Sequence, residues 1–315
     1  IGQVVRPNTI KYSSPVISNT QVNGLSEFYS AEQGIVPFEC GDIKKLKSST
    51  RVASNGSVLL AICTNKTASV YIDEVRLSIN NDINYIVQGS NVISEINVLN
   101  GAFGTVHPAS VVDDGTYVYW FSKSKRSFVR YGNNGIFPVS EYGVVDYFED
   151  SSLTHPEIDG VNSTVDVVGG YFPFYDMVMV SFPNQLSGYK TISFMNKDNA
   201  WRGFYSFIAD YYFDINDLFF SVKNGIIYRH NNTNAYGEFY GNSAQTIINV
   251  PLNNAPDMPK IWQSAELFLS PNFISWSNGG QIINGGLTVE LSNEDGQSTN
   301  ILYNEFEVGE YIAYA

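Results

Sequence analysis

Carboxylates are the residues of this chain whose chemistry comes first to hand. Asp113, Asp114, Asp146, Glu149, Asp150, Asp176 and Asp210 lie among aromatic and glycine-rich segments. Two such groups flanking a sugar ring would supply the acid and the base or nucleophile of glycoside hydrolysis. Spacing singles out no pair. Most of these residues fall in turn-like stretches, where a short carboxylate accepts hydrogen bonds from its own backbone.

The other chemistry-bearing residues are fewer. Of the three histidines, His107, His155 and His230, none has a Cys or His partner at zinc-site spacing. His107-Pro108 leads into a predicted strand and reads as structural. Cys40 and Cys63 sit among apolar neighbours and read as small buried side chains, not as a disulfide framework. The run from Ser110 to Thr116 comes close to the Ser-x-Asp-x-Gly-x-Thr-Trp box of sialidases, but its acid is displaced by one position and the box does not recur. There is no Gly-x-Ser-x-Gly elbow and no phosphate-binding glycine loop. On the residues alone no catalytic, cofactor-binding or metal-ligating position is assigned, no cofactor is expected, and the chain reads as a non-enzyme. Tyr211, Tyr212, Phe219, Phe220, Tyr236, Phe239 and Tyr240 could stack on sugars or fill contacts between sheets or subunits. Contacts between sheets or between subunits are the expectation.

Composition narrows the scaffold that would position these groups. With 21 Tyr, 20 Phe and 26 Gly among 315 residues, and few strong helix formers, the chain reads as all-β with many turns. Hydrophobic and charged contents of 43% and 16% are those of a globular protein, not a disordered one. A net charge of −13 argues against a phosphate-binding surface. No apolar run reaches the length of a membrane span. Ile1 at the start and an unfinished strand at Ala315 read as a segment of a longer polypeptide.

The clearest stretch runs from His107 to Tyr142. Strands are expected at Ala109–Val112, Thr116–Ser122, Ser127–Tyr131 and Ile136–Val139. Between them lie Asp113-Asp114-Gly115, Lys123-Ser124-Lys125 and Gly132-Asn133-Asn134-Gly135, residues that supply the left-handed positions of tight turns. Four short antiparallel strands in about 35 residues is the size of one β-propeller blade. The same grammar returns at 41–72, at 210–230 and more loosely at 165–196. Within it, Met177–Val180 reads as buried on both faces, Trp201, Tyr205 and Phe207 as sharing one strand face, and residues 144–148 as a helical turn. Residues 73–106 read as less regular. The expected organisation is an extended segment over 1–40, four-stranded propeller blades with loop insertions over 41–250, and strands over 251–315 that complete the propeller or start a sandwich. Partner contacts are expected from the loops 73–106, 149–163 and 231–241.

Three groups of residues carry a family resemblance. They are Gly41-Asp42-Ile43-Lys44-Lys45-Leu46-Lys47; His107-Pro108-x-Ser110 with Tyr119-Trp120, Val129-Arg130-Tyr131 and Pro138-Val139-Ser140-x-Tyr142-Gly143; and Trp201-x-x-Phe204-Tyr205-Ser206-Phe207-x-x-Asp210-Tyr211-Tyr212 followed by Phe219–Gly225 and Tyr228-x-His230-Asn231. In this order they resemble the β-propeller tail proteins of short-tailed, podovirus-like bacteriophages: the hub, stabilisation or muzzle proteins, crAss-like phages in particular. The resemblance implies a non-enzymatic virion component at the distal tail. It would form a ring with copies of itself, contact other tail proteins, and help close or gate the channel through which DNA passes at genome ejection. A carbohydrate-binding or glycan-cleaving propeller at a cell surface is the alternative.

Overall fold

The structure, a computed structural model, describes residues 5–14, 24–49, 57–79, 83–122, 124–149, 167–182, 190–232 and 237–243, and beyond them the backbone of short strands up to residue 314; over 73–91 it describes backbone alone. The chain divides into two compact units, Ile1–Thr246 and Ile247–Ala315.

In the first unit the strands pair in the order in which they occur. β1 (Thr9–Lys11) and β2 (Gln33–Ile35) make a two-stranded ribbon. β3 (Ile43–Ser49), β4 (Ser57–Cys63), β5 (Thr67–Ile79) and β6 (Ile83–Val98) form the first four-stranded antiparallel sheet. The second is β7 (Val112–Asp113), β8 (Val118–Ser122), β9 (Ser127–Gly132) and β10 (Gly135–Pro138), followed by the short helix α1 (Val145–Glu149) where a helical turn is expected. The third is β11 (Val168–Phe172), β12 (Met177–Ser181), β13 (Thr191–Met195) and β14 (Ala200–Tyr205). A three-stranded sheet follows, β15 (Tyr211–Ile215), β16 (Leu218–Lys223) and β17 (Ile226–Arg229), and then a small hairpin of β18 (Glu238–Phe239) and β19 (Asn242–Ser243). Among the described residues the sheets do not close into a ring.

The inner strands of the first three four-stranded sheets are apolar on both sides because those sheets are sandwiched. Side chains alternate across a strand, and along β4 Ala61 and Cys63 face the β1–β2 ribbon while Leu60 and Ile62 face the second sheet. Along β8, Trp120 joins Leu60 and Ile62, whereas Tyr119 and Phe121 face the third sheet. Along β12, Val178 and Val180 meet Tyr119 and Phe121, whereas Met177 and Met179 meet Tyr212 and Phe219 of the next sheet. All five residues of β8 and of β12 are buried. Burying one large apolar side chain stabilises by roughly 1.5–3 kcal/mol, so these stacked layers hold the unit together.

The first strands of three successive sheets, β7, β11 and β15, lie side by side. Gly169 and Gly170 of β11 make this possible. A Cβ at Gly169 would come within 2.4 Å of Val112, and one at Gly170 within 2.3 Å of Tyr212. Only a strand without side chains there fits between its two neighbours.

The structure also corrects parts of the sequence reading. Residues 67–98 are a single long hairpin, β5 of 13 and β6 of 16 residues, more continuous than the less regular pattern read from residue 73 onward. Register shifts near Ile72 interrupt its alternation, which hides the pattern. Ala109 lies in a 3-10 turn, Pro108–Ser110, since proline fixes φ there, and the Ser110 hydroxyl donates to the His107 carbonyl at 2.7 Å. Trp201 and Tyr205 do not share a face. A bulge opposite Ser193 and Phe194 inserts Arg202, so Trp201 packs with Phe194 and Tyr205 with Phe207. One extra residue reverses which side every later side chain takes. Residues 231–241 contain β18, not loop alone. Residues 165–166 and 183–189 of the unit expected at 165–196, and all but Glu149 of the expected loop 149–163, lie outside the described residues.

The second unit is described as strand backbone: β20 (Glu266–Phe268), β21 (Ile274–Ser277), β22 (Gly280–Ile283), β23 (Thr288–Ser292), β24 (Ser298–Leu302), β25 (Glu307–Val308) and β26 (Ile312–Tyr314). β21 pairs with β22 and β23 with β24, while β26 lies between β20 and β25.

Candidate functional site

Polar groups of the first unit gather at two seams between sheets. At the seam of the second and third sheets, Asp114 Oδ1 accepts the amides of Thr116 and Tyr117, both at 2.6 Å. Its Oδ2 accepts Asn196 Nδ2 at 2.6 Å and lies 3.2 Å from the Tyr119 hydroxyl. That hydroxyl also lies 2.5 Å from Asn196 Oδ1, so its single proton is shared between the two acceptors. Asn196 Nδ2 reaches Asp176 Oδ1 as well, at 3.1 Å, which in turn accepts the Tyr171 hydroxyl at 3.1 Å. Nearby, Arg130 lies 4.5 Å above the Tyr117 ring and donates to Asn199 at 2.8 Å.

Two carboxylates tied to one amide invite comparison with an acid–base pair, but the contacts they make are to the protein itself. Burial raises the Asp114 carboxyl above its ordinary range, against the lowering pull of the Thr116, Tyr117 and Tyr119 hydrogen bonds. Burial likewise raises the Tyr119 phenol. Both oxygens of Asp114 are engaged, so the arrangement stitches two sheets together and orders the Asp113–Tyr117 turn.

The second seam joins the third sheet to the three-stranded one. Ser181 Oγ lies 2.6 Å from both Thr191 Oγ1 and the Tyr212 hydroxyl, and Thr191 donates to the Phe207 carbonyl at 2.6 Å. Beside them Ser221 Oγ lies 2.6 Å from His230 Nε2 and accepts the Tyr240 hydroxyl at 2.8 Å. A serine against a histidine nitrogen is the pairing of an activated nucleophile. Here Ser221 is fully buried, and the His230 ring packs against Phe219 and Phe207. Among the described residues no carboxylate bonds the imidazole. Burial lowers its pKa to about 4, which keeps it neutral at ordinary pH.

The remaining residues singled out from sequence are dispersed. Asp113 pairs with Lys47 at 3.0 Å and accepts the Gly115 amide. Asp146 is exposed in the first turn of α1. Although burial acts the other way, the Lys223 ammonium and the Asn224 amide hold Asp210 below the usual carboxylate range. His107 is buried, and its Nδ1 accepts the Val167 amide at 3.3 Å. Cys40 and Cys63 are free and buried, and burial pushes the Cys63 thiol up to about 12. The Glu149 side chain, Asp150, His155 and Tyr236 lie outside the described residues. Among the described residues no group of three His, Cys, Asp or Glu side chains is placed to hold a metal ion, and no helix is long and apolar enough to cross a membrane.

Of the aromatics, Tyr212 and Phe219 are core residues, stacked at 5.3 Å, and Phe239 stacks on Phe207 at 4.4 Å. Tyr211 is exposed, while Phe220 lies half-buried against Phe213 at 5.2 Å. What sequence reasoning missed is the face these last residues share. Strand register puts Tyr211, Phe213 and Ile215 beside Val222, Phe220 and Leu218, with Ile227 and Arg229 in the third row. This is the side of the sheet that turns away from the Tyr212–Phe219 core. Tyr211, Ile215, Leu218 and Ile227 are 54%, 55%, 38% and 62% exposed. The signal was present in Leu218-Phe219-Phe220-Ser221-Val222, a run with apolar residues at both parities.

At the other end of the stack the β1–β2 ribbon packs Ile10 and Gly34 inward, Gly34 lying against Ile93 and Ile96. Its other side carries a cleft of about 410 Å³ lined by Arg6, Thr9, Lys11, Ser30 and Gln33. Ile35, paired with Thr9, and Phe38 are 57% and 92% exposed. Two surfaces therefore stand out among the described residues, one apolar and one lined by two cations. No family model matches this chain, and no curated protein matches it significantly.

Proposed function

We propose that this protein is a structural component of a bacteriophage tail, a distal hub or muzzle subunit. It assembles in a ring with copies of itself and other tail proteins, in the virion, and helps close or gate the DNA channel. The observation that carries this reading is the serial stack of antiparallel meanders whose first strands β7, β11 and β15 lie together. That arrangement is how propeller blades are set around an axis, and it supports a propeller-type scaffold. The sequence motifs that resemble tail hub proteins fall on these same sheets. The conspicuous polar clusters, Asp114–Asn196–Asp176 and Ser221–His230–Tyr240, are used in joining sheets. Such rigidity suits a part that bears load and carries out no reaction. An acidic surface, at −13 overall, would let DNA pass without adhering.

The test is to purify phage particles that encode this chain and image the tail by electron microscopy, with the chain identified by mass spectrometry. A ring of this density at the distal tail is expected. Its absence from the particle, or glycan cleavage by the purified chain, overturns the reading.

A further inference from the structure

The first unit is a stack with two unlike ends. Every sheet inside it is covered on both sides, by the layer before and the layer after. The β1–β2 ribbon ends the stack at one side with polar and cationic groups. At the other side the outward face of β15–β17 has the same two-sided apolar composition as β8 and β12, yet it stands exposed. We propose that this open face is a docking surface for the ribbon end of a second copy of the chain, in a head-to-tail contact. The proposal rests on, and sharpens, the ring reading above.

Unlike ends favour this occupant over a face-to-face dimer. A heterologous contact needs complementary patches at different places on one molecule, and it closes into a ring when the rotation permits. The charges complement each other. Arg6 and Lys11 line the cleft at the ribbon end, and neither forms an ion pair among the described residues. Glu27 and Glu32 of the same end accept hydrogen bonds only from neutral groups, Tyr29 and Ser14, and keep their negative charge, which Arg229 on the open face complements. At the edge of the open face the β15–β16 turn presents Asp217 in a left-handed conformation, φ 64°, exposed and without an ion pair among the described residues. The outward rows themselves carry one exposed cation, Arg229, and no carboxylate. Phe38, 92% exposed, supplies an apolar anchor of the kind that dominates interface energetics. Asp217 would enter the Arg6–Lys11 cleft while Phe38 and Ile35 settle against the Ile227–Phe220 rows.

The face spans about 15 by 17 Å from strand spacing and rise, which is small for an interface. Association is therefore expected at micromolar concentrations, about 1–100 µM, and not below. The experiment is light scattering after gel filtration, with mass photometry, on the 315-residue chain and its variants. Wild type is expected to form concentration-dependent oligomers. Ile227→Glu and Phe38→Glu, each with an unchanged circular dichroism spectrum, are each expected to be monomers alone. Mixed, they should form dimers that grow no further, because each retains one intact end. Asp217→Lys should weaken assembly at least tenfold, and Arg6→Asp added to it should recover most of the loss. Wild type that stays monomeric at 200 µM overturns the contact. So do oligomers that persist in Ile227→Glu, or a mixture that stays monomeric. Those results leave the tail assignment standing if the chain is found in the virion, whereas absence from the virion removes that assignment without touching this contact.

Discussion

The second sheet and the three-stranded sheet are made of nearly the same materials and meet different fates. In β8, Val118–Ser122 is buried at every position, Trp120 toward one neighbour and Tyr119 and Phe121 toward the other. In β16, Phe219 and Ser221 are buried while Leu218, on the opposite parity, lies open. The strands are equally apolar; what differs is whether a layer follows. Apolar residues at both parities therefore mark a strand built to be sandwiched, and where no described layer of the first unit covers the second face they mark a surface open to a partner. The comparison also separates two kinds of polar group. Those at seams between covered sheets are satisfied internally, whereas Asp214, Asp217 and Arg229 around the open sheet point to solvent.

The comparison breaks most visibly at its buried member. Trp120 is wholly buried and donates its indole N–H to the Phe103 carbonyl at 3.1 Å. Trp120→Ala is expected to cost about 3–5 kcal/mol, a large fraction of the roughly 5–15 kcal/mol that holds a domain folded. Urea unfolding followed by tyrosine fluorescence measures it, and a loss below 1 kcal/mol would mean that the first and second sheets are not packed as described. Next in size is Asp114→Ala. It strips the Thr116 and Tyr117 amides and Asn196 of their acceptor, and unsatisfied buried donors cost about 1–3 kcal/mol each, so about 2–4 kcal/mol is expected from the same measurement. Because burial raises the folded-state pKa of Asp114, its contribution is fully present below the unfolded value and falls as pH rises through the folded one. Part of the cost should therefore be larger in acid than at neutrality.

His230 carries the opposite sign. Its folded pKa, lowered by burial to about 4, lies under the unfolded value of about 6.5. The neutral ring therefore contributes stability that is present above about pH 6.5 and lost as pH falls toward 4. The shift corresponds to about 3–4 kcal/mol at most, and less for a side chain that keeps some contact with water. His230→Gln is expected to flatten the dependence of Tm on pH between 6.5 and 4, whereas an unchanged slope would place the acid sensitivity elsewhere. The wild-type curve thus reports directly on the seam under the open sheet.

Much of the scaffold was legible because it is local. Asn224-Gly225 reads as a two-residue turn, and both residues do adopt positive φ, 51° and 76°; the left-handed position of the Gly132–Gly135 turn falls on Gly135, φ 89°. The Met177–Val180 run reads as doubly buried because two layers cover it. The bulge at Arg202 was not legible, since Trp201, Tyr205 and Phe207 look like an unbroken alternation and the extra residue shows only against β13. The seam was equally hidden. Asn196 bonds Asp114 across 82 residues and Tyr119 across 77, and no local pattern announces such a meeting. Asp114 could be read as a turn former but not as the acceptor for the next sheet. The open face was hidden for another reason: the sequence shows that Leu218 and Phe220 are apolar, not whether anything covers them.

The smallest expected effect is the one that tests this last distinction. Ile227 is 62% exposed on the outward row, opposite Val222 and away from the Tyr212–Phe219 core. If no layer of the same chain covers it, Ile227→Ser removes little buried area and should change unfolding stability by less than about 0.5 kcal/mol, measured at low micromolar concentration where copies are apart. At high concentration the same substitution should remove any concentration dependence of Tm, because a contact between folded copies stabilises them by mass action. A loss above 2 kcal/mol in the dilute protein would instead class β17 with β8 and β12, as a strand covered on both faces within one chain. The contrast between covered and open sheets would then vanish, and the surplus apolar row would be core.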